Sequence, residues 1–384
     1  MTRMPAAAVL QKPELLSDPA AMRADGSLAG RYMAEFAEHG ASKLISNSAS
    51  EALLLKQGEL RLPVLVDHGG YGRTYVASPH SAYVLYARDE LDIVGVTWGR
   101  WGAQAALAVL DGLLRTLGIN HTVQLDNWLL ATNLHGDWDG ADLPAIRSLL
   151  TERWPEHYVV LRSLDPWSCP DLFDAAKRDG WTLLPARQIW VTDDLARDWS
   201  KRNNTRNDRR ALRKSGLTIE HPNTLGHKDC ERIAELYRQL YVERYSALNP
   251  VFTPHFIECA ARLGLLTFCL ARNDAGEIMS VAGIRAAGDT ATLPLVGYDT
   301  TRPQAEGLYR IATYLASEWA MERSLRFNGS AGAGVFKQNR GARGQIEYMA
   351  IYGRHLSTVR REGLAFLASA LNALMVPMLK RQGW

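Results

Sequence analysis

The sequence has 384 residues, of which 47% are hydrophobic and 22% are charged, and its formal net charge is +3. This length predicts two domains of about 150 to 200 residues each, and the composition is that of an ordinary soluble globular protein. A net charge so close to zero gives no general attraction to nucleic acids or to anionic membranes.

Cysteine usage and the chain ends indicate a cytoplasmic protein. The four cysteines lack the C-x-x-C spacing of a metal or redox site, so we expect reduced thiols. They are Cys169, Cys230, Cys259 and Cys269. Prolines and a lysine interrupt residues 1–23, which argues against an export signal. Polar residues and a proline interrupt the most apolar stretch, residues 363–384, so we expect a C-terminal helix docked on the protein rather than inserted in a membrane. A role at a membrane surface is the alternative for this helix.

The first part of the chain alternates strand and helix patterns. Short β-rich runs or apolar alternation predict strands at residues 62–69, 82–91, 121–134, 157–164 and 186–193. Apolar residues at three- and four-residue spacing predict helices at residues 102–118, 141–154 and 169–181.

The second part of the chain has a different order of patterns. Helices are predicted at residues 199–216, 228–248, 252–264 and 307–324, and strands at 217–222, 325–330 and 346–353. Residues 265–299 predict three antiparallel strands with two turns between them. Thr253 followed by Pro254 is a helix start, because Thr caps the first turn and Pro suits its first position.

This order of elements resembles the GNAT acyltransferase fold, and two such halves in tandem resemble the Fem-type aminoacyltransferases and related N-acyltransferases. Four segments carry the resemblance: "RNDRRALRKSGL", "GEIMSVAGIRAA", "LVGYDTTRPQAEGLYRIATYLASEWAMERSLRFN" and "VFKQNRG". The resemblance implies an α/β protein of mixed α+β type with two tandem GNAT-like domains, each a mixed sheet flanked by helices. We expect an N-terminal domain at residues 1–195 and a C-terminal domain with the acyl-donor site at residues 196–384. Two separate sheets should result, with the chain crossing over near Leu195 to Trp199.

The loop before the helix at residues 307–324 is the predicted donor site. In the GNAT fold this helix start binds the coenzyme A pyrophosphate, and a helix amino terminus attracts anions. The cofactor-binding residues implied are Arg302, Gln304, Gly307 and Arg310. Tyr309 departs from the small residue that the family has there. An ordinary strand-to-helix turn around Pro303 is the alternative.

Tyr298 and Asp299 precede this loop and are the first two predicted catalytic residues. In the GNAT fold the strand end lies beside the scissile bond. A tyrosine there can protonate a leaving group, and an aspartate can orient or deprotonate an amine. A turn in which Asp299 caps the backbone is the alternative.

The glycine-rich stretch "FNGSAGAGVFKQNRG", residues 327–341, contains the third predicted catalytic residue. It lacks both the P-loop pattern and the spacing of a dinucleotide fingerprint. In Fem-type relatives an aromatic-lysine pair occurs here, which implies that Lys337 stabilises an oxyanion and that Phe336 contacts substrate. A flexible loop with a solvated lysine is the alternative.

Two further groups of residues have less specific patterns. Arg202, Arg206, Arg209 and Arg213 share one face of the helix at residues 199–216, which is either a phosphate-contacting stripe or a solvated face. In the first part, Tyr75 and Tyr83 belong to an aromatic segment that either lines a substrate cleft or packs in strands.

Other chemistries have little support in the sequence. The spacing of Asp126, His135 and Asp137 is not that of a metal site, and we expect no metal. A G-x-S-x-G hydrolase signature is missing from the sequence.

The residues and the resemblance together predict an N-acyltransferase. The donor is acyl-CoA as co-substrate, and the acceptor is the amine of a small molecule or peptide. Two alternatives are open: aminoacyl transfer from a charged tRNA, and a non-catalytic module that binds RNA or a protein partner. No oligomeric state is predicted.

Overall fold

The computed structural model describes residues 12–93 and 99–382. The strands are β1 (Glu14–Leu16), β2 (Glu51–Gln57), β3 (Leu60–His68), β4 (His121–Leu125), β5 (Tyr158–Leu164), β6 (Thr182–Thr192), β7 (Thr218–Glu220), β8 (Thr267–Arg272), β9 (Ile278–Ala287), β10 (Thr290–Tyr298), β11 (Arg326–Asn328) and β12 (Arg343–Tyr352). The α-helices are α1 (Pro19–Ala24), α2 (Leu28–His39), α3 (Ala41–Leu44), α4 (Tyr86–Ile93), α5 (Arg100–Thr116), α6 (Leu143–Arg153), α7 (Pro170–Arg178), α8 (Asn203–Lys214), α9 (His227–Tyr237), α10 (Pro254–Arg262), α11 (Leu308–Glu322), α12 (Gly334–Gln338) and α13 (Thr358–Gln382). The predicted absence of an export signal concerns residues 1–23, and the first eleven of these lie outside the described residues.

The twelve strands form one continuous mixed sheet. Their order is β1-β2-β3-β4-β5-β12-β6-β11-β10-β9-β8-β7. The order is symmetric between the two halves of the chain. If β1 and β7, β2 and β8, and so on to β6 and β12, change places, the same order results when it is read from the opposite edge of the sheet. Two pairs are parallel, β4 with β5 and β10 with β11, and the other pairs are antiparallel. The chain therefore contains two halves with the same strand arrangement, as the tandem prediction requires.

The two halves exchange their last strands at the centre of the sheet. β12, near the end of the chain, lies between β5 and β6, and β6 lies between β12 and β11. The expected separation into two sheets is therefore wrong. After β6 the chain does cross over through a helical turn at Leu195–Trp199, as predicted, and continues into α8. The division into domains at residues 195 and 196 stays a prediction, because each half has a strand that completes the other.

Two strand predictions in the first half need correction. Residues 82–91 form helical turns and part of α4, because β3 pairs directly with β4 and leaves no place for a strand between them. The strand predicted at residues 121–134 ends as β4 at Leu125. Asp126 and Leu129 have positive φ angles of 50° and 55°, outside the extended region that strand residues usually adopt. The helix α2 was not predicted.

The C-terminal helix α13 docks on the protein, as predicted. Leu364, Leu367 and Ala368 are buried, and the Asn372 side-chain amide donates a hydrogen bond to the Leu183 carbonyl of β6 at 3.1 Å. Its other side is exposed and apolar, with Phe366 as an example. Within the described residues, the segment Thr358–Lys380 is long and apolar enough to cross a membrane, judged by length and composition alone.

A buried ion pair joins the exchanged strands. The Arg187 guanidinium of β6 donates hydrogen bonds to both carboxylate oxygens of Glu347 in β12, at 2.8 and 3.2 Å. The Glu347 side chain is 3% exposed. A second pair joins Arg343 of β12 to Asp193, the residue after β6, but its side chains are 51% and 43% exposed. The two pairs differ in burial and therefore allow a matched test.

We expect Glu347→Gln to lower the free energy of unfolding by about 3–5 kcal/mol, because it leaves the Arg187 charge buried and without its carboxylate. Arg343→Gln, the control, should cost about 0–1 kcal/mol, because water screens an exposed pair. Urea unfolding of the two variants and the parent measures the difference. Equal effects of the two substitutions would show that the central pair is not a main contributor to stability.

Candidate active site

The parallel strands β10 and β11 stay paired over a short stretch only. Thr290–Thr292 of β10 pair with Arg326–Asn328 of β11. Within the described residues, positions 293–298 of β10 have no strand partner on that side. We call the resulting gap the wedge. It opens at the carboxyl ends of both strands, where ligands bind in open α/β sheets.

Tyr298 ends β10 at the mouth of the wedge and is partly exposed. Its hydroxyl oxygen accepts a hydrogen bond from the Arg244 guanidinium at 3.1 Å. Because the oxygen is the acceptor in this contact, the phenol proton remains available for another partner. The arrangement fits a proton donor, which is the role predicted for Tyr298.

Asp299 is held by several partners. One carboxylate oxygen accepts from the Arg232 guanidinium at 2.9 Å, and the other accepts from the backbone amide and the hydroxyl of Thr301 at 3.0 and 2.6 Å. Burial acts to raise the pKa of Asp299, but the hydrogen bonds from Thr301 and the charge of Arg232 outweigh it and lower the pKa. A carboxylate held in this way is a weak base. The contacts of Asp299 therefore fit the alternative in which it caps a turn, and the catalytic role of Asp299 stays a prediction.

The predicted cofactor residues lie around the start of α11. Gly307 precedes the helix with φ = 71°, a left-handed conformation that favours glycine. No side chain caps the first turn. Arg310 bends back over Gly307, since a Cβ atom there would lie 2.8 Å from its guanidinium. Arg302 is exposed and forms an ion pair with Glu306 at 2.7 Å, and Gln304 is exposed in the preceding turn.

A groove of about 870 Å³ lies beside this helix start. Its walls come from the second half of α8, the β8–β9 turn and the loop at residues 299–306. The cations that line it are Arg210, Lys214 and Arg302, and the acidic residues are Glu277, Asp299 and Glu306. The structure thus brings one predicted cofactor residue together with the basic helix.

The basic face of α8 differs from the prediction. The Arg202 guanidinium donates to the Asp198 carbonyl at 3.0 Å, and that of Arg209 donates to the Tyr314 hydroxyl at 2.7 Å, so neither belongs to a free stripe. Asp208 of the same helix is buried and binds Arg340 with two hydrogen bonds of 2.6 and 2.9 Å. This aspartate anchors α8 to the segment after α12.

Lys337 is not a solvated surface lysine. It lies on the short helix α12, and its ammonium donates to the carbonyls of Ser330 and Ala331 at 3.2 and 2.8 Å. Burial, followed by the nearby charge of Arg187, lowers its pKa from 10.5 to about 7. Gly329 lets the chain pass close to β6, because a Cβ there would lie 3.2 Å from the Trp190 carbonyl oxygen. The hydrogen bonds to Ser330 and Ala331 hold the lysine in place, unlike the solvated lysine of the flexible-loop alternative.

Phe336 connects the two sides of the wedge. Its ring centroid lies 5.3 Å from that of Tyr309 in the first turn of α11, and the Arg340 guanidinium lies 3.5 Å from its centroid. The ring centroid of Tyr309 in turn lies 6.0 Å from that of Tyr298. The predicted substrate residue Phe336 therefore neighbours both predicted parts of the site.

The two predicted substrate tyrosines of the first half have different surroundings. Tyr75 is partly exposed, and its ring lies 4.9 Å from that of Tyr86. Tyr83 is 7% exposed in a hydrophobic cluster, and its hydroxyl donates to the Leu184 carbonyl at 3.4 Å. Tyr83 thus has the position of a core residue rather than that of a cleft residue.

Sequence reasoning missed a second row of tyrosines. Tyr237, Tyr241 and Tyr245 follow one another at four-residue spacing, with ring centroids 5.0 and 6.1 Å apart. Burial raises the pKa of Tyr241 strongly, and Tyr309 raises it further. The spacing was a readable signal, since residues four apart share one helix face. Arg187 of β6, whose charge acts on Lys337 of α12, had no local signal in the sequence.

The segment whose spacing argued against a metal is an internal hydrogen-bond network. His135 bonds Asp126 through Nδ1 at 2.7 Å and the Arg162 carbonyl through Nε2 at 2.8 Å. Both ring nitrogens therefore have protein partners, and the cluster supports the first-half fold.

The lowered pKa of Lys337 predicts a pH dependence of stability. The folded protein releases this proton near pH 7 and the unfolded chain near 10.5, so the folded state binds fewer protons between these values. The free energy of unfolding should therefore rise with pH in this window, by at most about 1.4 kcal/mol per unit from this group.

Lys337→Met removes this titrating group and should flatten the rise of the free energy of unfolding with pH. Urea unfolding at pH 7 and 9 compares parent and variant, with Lys214→Met on the exposed end of α8 as control. If the free energy of unfolding changed with pH equally in the parent and in Lys337→Met, the lowered pKa of Lys337 would be contradicted.

Comparison with known proteins identifies part of the chain directly. Residues 200–337 match the family model described as acetyltransferase (GNAT) domain. A comparison with curated protein sequences finds no relative. Among solved structures, L-PGS from Bacillus licheniformis is 11% identical with a TM-score of 0.46, over 65% of this chain and 82% of that one. FemX is 12% identical with a TM-score of 0.41, over 56% and 78%. A tandem GNAT protein from the clavulanic acid biosynthesis pathway is 11% identical with a TM-score of 0.37, over 89% and 99%. On this match, residues 200–337 are similar to a GNAT acetyltransferase domain.

Proposed function

We propose that the protein moves an acyl group from an acyl-CoA to the amine of a small molecule or peptide, with the thioester in the wedge. One observation carries the proposal: the ring centroid of Phe336, the residue before the part-buried Lys337, lies 5.3 Å from that of Tyr309 in the uncapped first turn of α11. This contact supports placing both parts of the site around the same gap. An anion-accepting helix end and a cation across one gap suit a donor with both phosphates and a reacting carbonyl.

Coenzyme A suits the surroundings of α11. The first turn of a helix has unpaired backbone amides and lies at the positive end of the helix dipole. Both features attract phosphate groups. The groove beside it adds Arg210, Lys214 and Arg302, and its volume of about 870 Å³ is in the usual range for cofactor sites. Arg302 would have to leave Glu306 to contact the donor.

The transfer needs one new bond and one broken bond. The neutral acceptor amine attacks the thioester carbon, a C–N bond forms, and the carbonyl oxygen becomes an oxyanion that the Lys337 ammonium stabilises. The C–S bond then breaks, and Tyr298 gives its proton to the leaving thiolate. The amine's extra proton then passes to the Tyr298 phenolate, directly or through water, which restores the phenol.

Asp299 has a positioning role in this proposal. Because its hydrogen bonds lower its pKa, it stays ionised and is a poor proton acceptor. An ionised carboxylate beside the wedge can still attract and orient an ammonium substrate before that substrate loses its proton.

Transfer from an aminoacyl-tRNA is the second candidate for the donor. The exposed cations of α8 and of the turn before it support it, because a row of cations can contact a nucleic-acid backbone. They are Lys201, Arg206, Arg210, Arg213 and Lys214. A cytoplasmic location suits either donor, and the four buried cysteines without disulfide bonds support it.

Acyl-CoA should protect the protein thermally, by about 2.7 kcal/mol at a hundredfold excess over its dissociation constant. Arg302→Ala and Arg310→Ala should each reduce the binding free energy by roughly 1–3 kcal/mol, as for charge-assisted contacts. Arg323→Ala, at the opposite end of α11, is the control and should bind like the parent. Thermal shift with acetyl-CoA and longer acyl-CoAs measures the effect.

The same assay decides between the donors. Protection by charged tRNA without protection by any acyl-CoA would transfer the proposal to the tRNA donor. A salt-steep tRNA response that Arg206→Ala and Arg213→Ala weaken would locate the contact on α8.

Lys337→Met should lower kcat by about 100- to 1,000-fold, the usual loss for one oxyanion donor, with little change in KM. Lys337→Arg should not restore kcat, because a planar guanidinium does not replace a compact ammonium. The parent's kcat should fall as pH rises through about 7, since the lysine then loses its charge. A kcat that rises through this range would instead make the lysine a base.

A further inference from the structure

A cluster of metal-ligating side chains lies away from the wedge, where the two halves meet. Glu35 and His39 are one turn apart near the end of α2, and His255 is the second residue of α10. The chain segments beside them join the halves: the Thr253 amide donates to the Leu44 carbonyl at 3.0 Å, and residues 45 and 252 form a β-bridge.

The three side chains point their ligand atoms at one another. The Glu35 Oε2 atom lies 3.8 Å from His39 Nε2 and 3.9 Å from His255 Nε2, and all three atoms lie within 4.8 Å of one another. The other Glu35 oxygen accepts a hydrogen bond from Arg262 at 2.9 Å, which fixes the carboxylate and leaves Oε2 facing the histidines. Outer partners of this kind orient ligands in known metal sites.

One nitrogen in the cluster lacks a hydrogen bond. His255 Nε2 is buried, and no hydrogen-bond partner reaches it from the described part of the chain. A buried polar atom without a partner costs free energy, and a bound water or ion is one way to supply the partner. The Glu35 Oε2 atom lies 3.9 Å from His255 Nε2, which is too far for a hydrogen bond. Both atoms face the space between the three side chains.

We propose that Glu35, His39 and His255 bind a zinc-class divalent transition metal that links α2 of the first half to α10 of the second half. Two imidazoles and one carboxylate are ligands that zinc accepts at about 2.0–2.2 Å, which places ligand atoms about 3.3–3.6 Å apart on one ion. Side-chain movement of about 1 Å or less would close the present distances. The inference is independent of acyl transfer.

The site is open to solvent, which suits a three-ligand ion with water in the fourth position. His39 and His255 have side-chain exposures of 41% and 33%, while Glu35 is 10% exposed. The competing explanation is a pair of protonated histidines around one glutamate. The two explanations respond oppositely to acid: ion pairs need protonated histidines, whereas metal binding needs neutral ones.

The test is zinc binding to the full chain after EDTA treatment and desalting. Isothermal titration at pH 7.5 should give one site, and zinc should raise the melting temperature, whereas Mg²⁺ and Ca²⁺ should not, because they prefer oxygen ligands. Binding should weaken by at least about tenfold on lowering the pH to 5.5, as protons compete for the histidines.

His39→Ala and His255→Gln should each weaken zinc binding by at least about 10- to 100-fold, the loss that outer partners of a metal site already cause. The matched control is His227→Ala. His227 also pairs with a glutamate four residues on, Glu231 at 3.3 Å, but the cluster of three does not include it. Circular dichroism spectra of the metal-free variants check that each is folded.

Two outcomes would overturn the proposal. One is the lack of a stoichiometric zinc site in the parent protein. The other is a site whose affinity is the same in the parent, His39→Ala and His255→Gln proteins. If one variant fails to fold, Glu35→Gln gives the third measurement, because it removes the anionic ligand while keeping the shape of the side chain.

Discussion

An ion pair between Arg187 and Glu347 joins the two strands that the halves exchange. Bringing a carboxylate to 3% exposure is costly unless a cation is fixed beside it. Only the register that sets β6 antiparallel to β12 puts these two residues opposite each other. The pair therefore stabilises the exchange and penalises any arrangement in which each half keeps its own last strand.

The candidate active site is attached to this centre by hydrogen bonds. The Arg187 guanidinium also donates to the Thr132 hydroxyl at 3.0 Å, and that hydroxyl lies 3.1 Å from the Ser330 hydroxyl, its acceptor. The Ser330 carbonyl accepts from Lys337 at 3.2 Å. A loop of the first half thus holds the lysine of the second half. The same Arg187 charge contributes to the low pKa of Lys337, so the central pair influences both position and protonation.

Local patterns predicted what depends on neighbouring residues. The Thr253–Pro254 helix start is confirmed, with the Thr253 hydroxyl accepting from the Phe256 amide at 3.2 Å. The three-strand meander and the start of α11 also lie where the sequence predicted them. What failed depends on distant partners. The single sheet requires β12 to pair with strands of the first half, and α8 is anchored through Asp208 to Arg340, which is 132 residues away. The local periodicity of the sequence does not indicate contacts between residues so far apart along the chain.

The repeat of the two halves supports placing the proposed donor site in the second half. In the strand order, α6 follows β4 as α11 follows β10, so the starts of α6 and α11 are equivalent positions. At α6 the preceding residue is Asp142, and Pro144 in the first turn has no amide hydrogen, so negative charge is already present and one donor is lost. At α11 the preceding residue is Gly307, and no carboxylate occupies the first turn. Two equivalent helix starts thus differ in their capacity to hold phosphate, and that difference leaves the first half to supply support: Thr132 for the lysine loop and β5 for the exchanged strand.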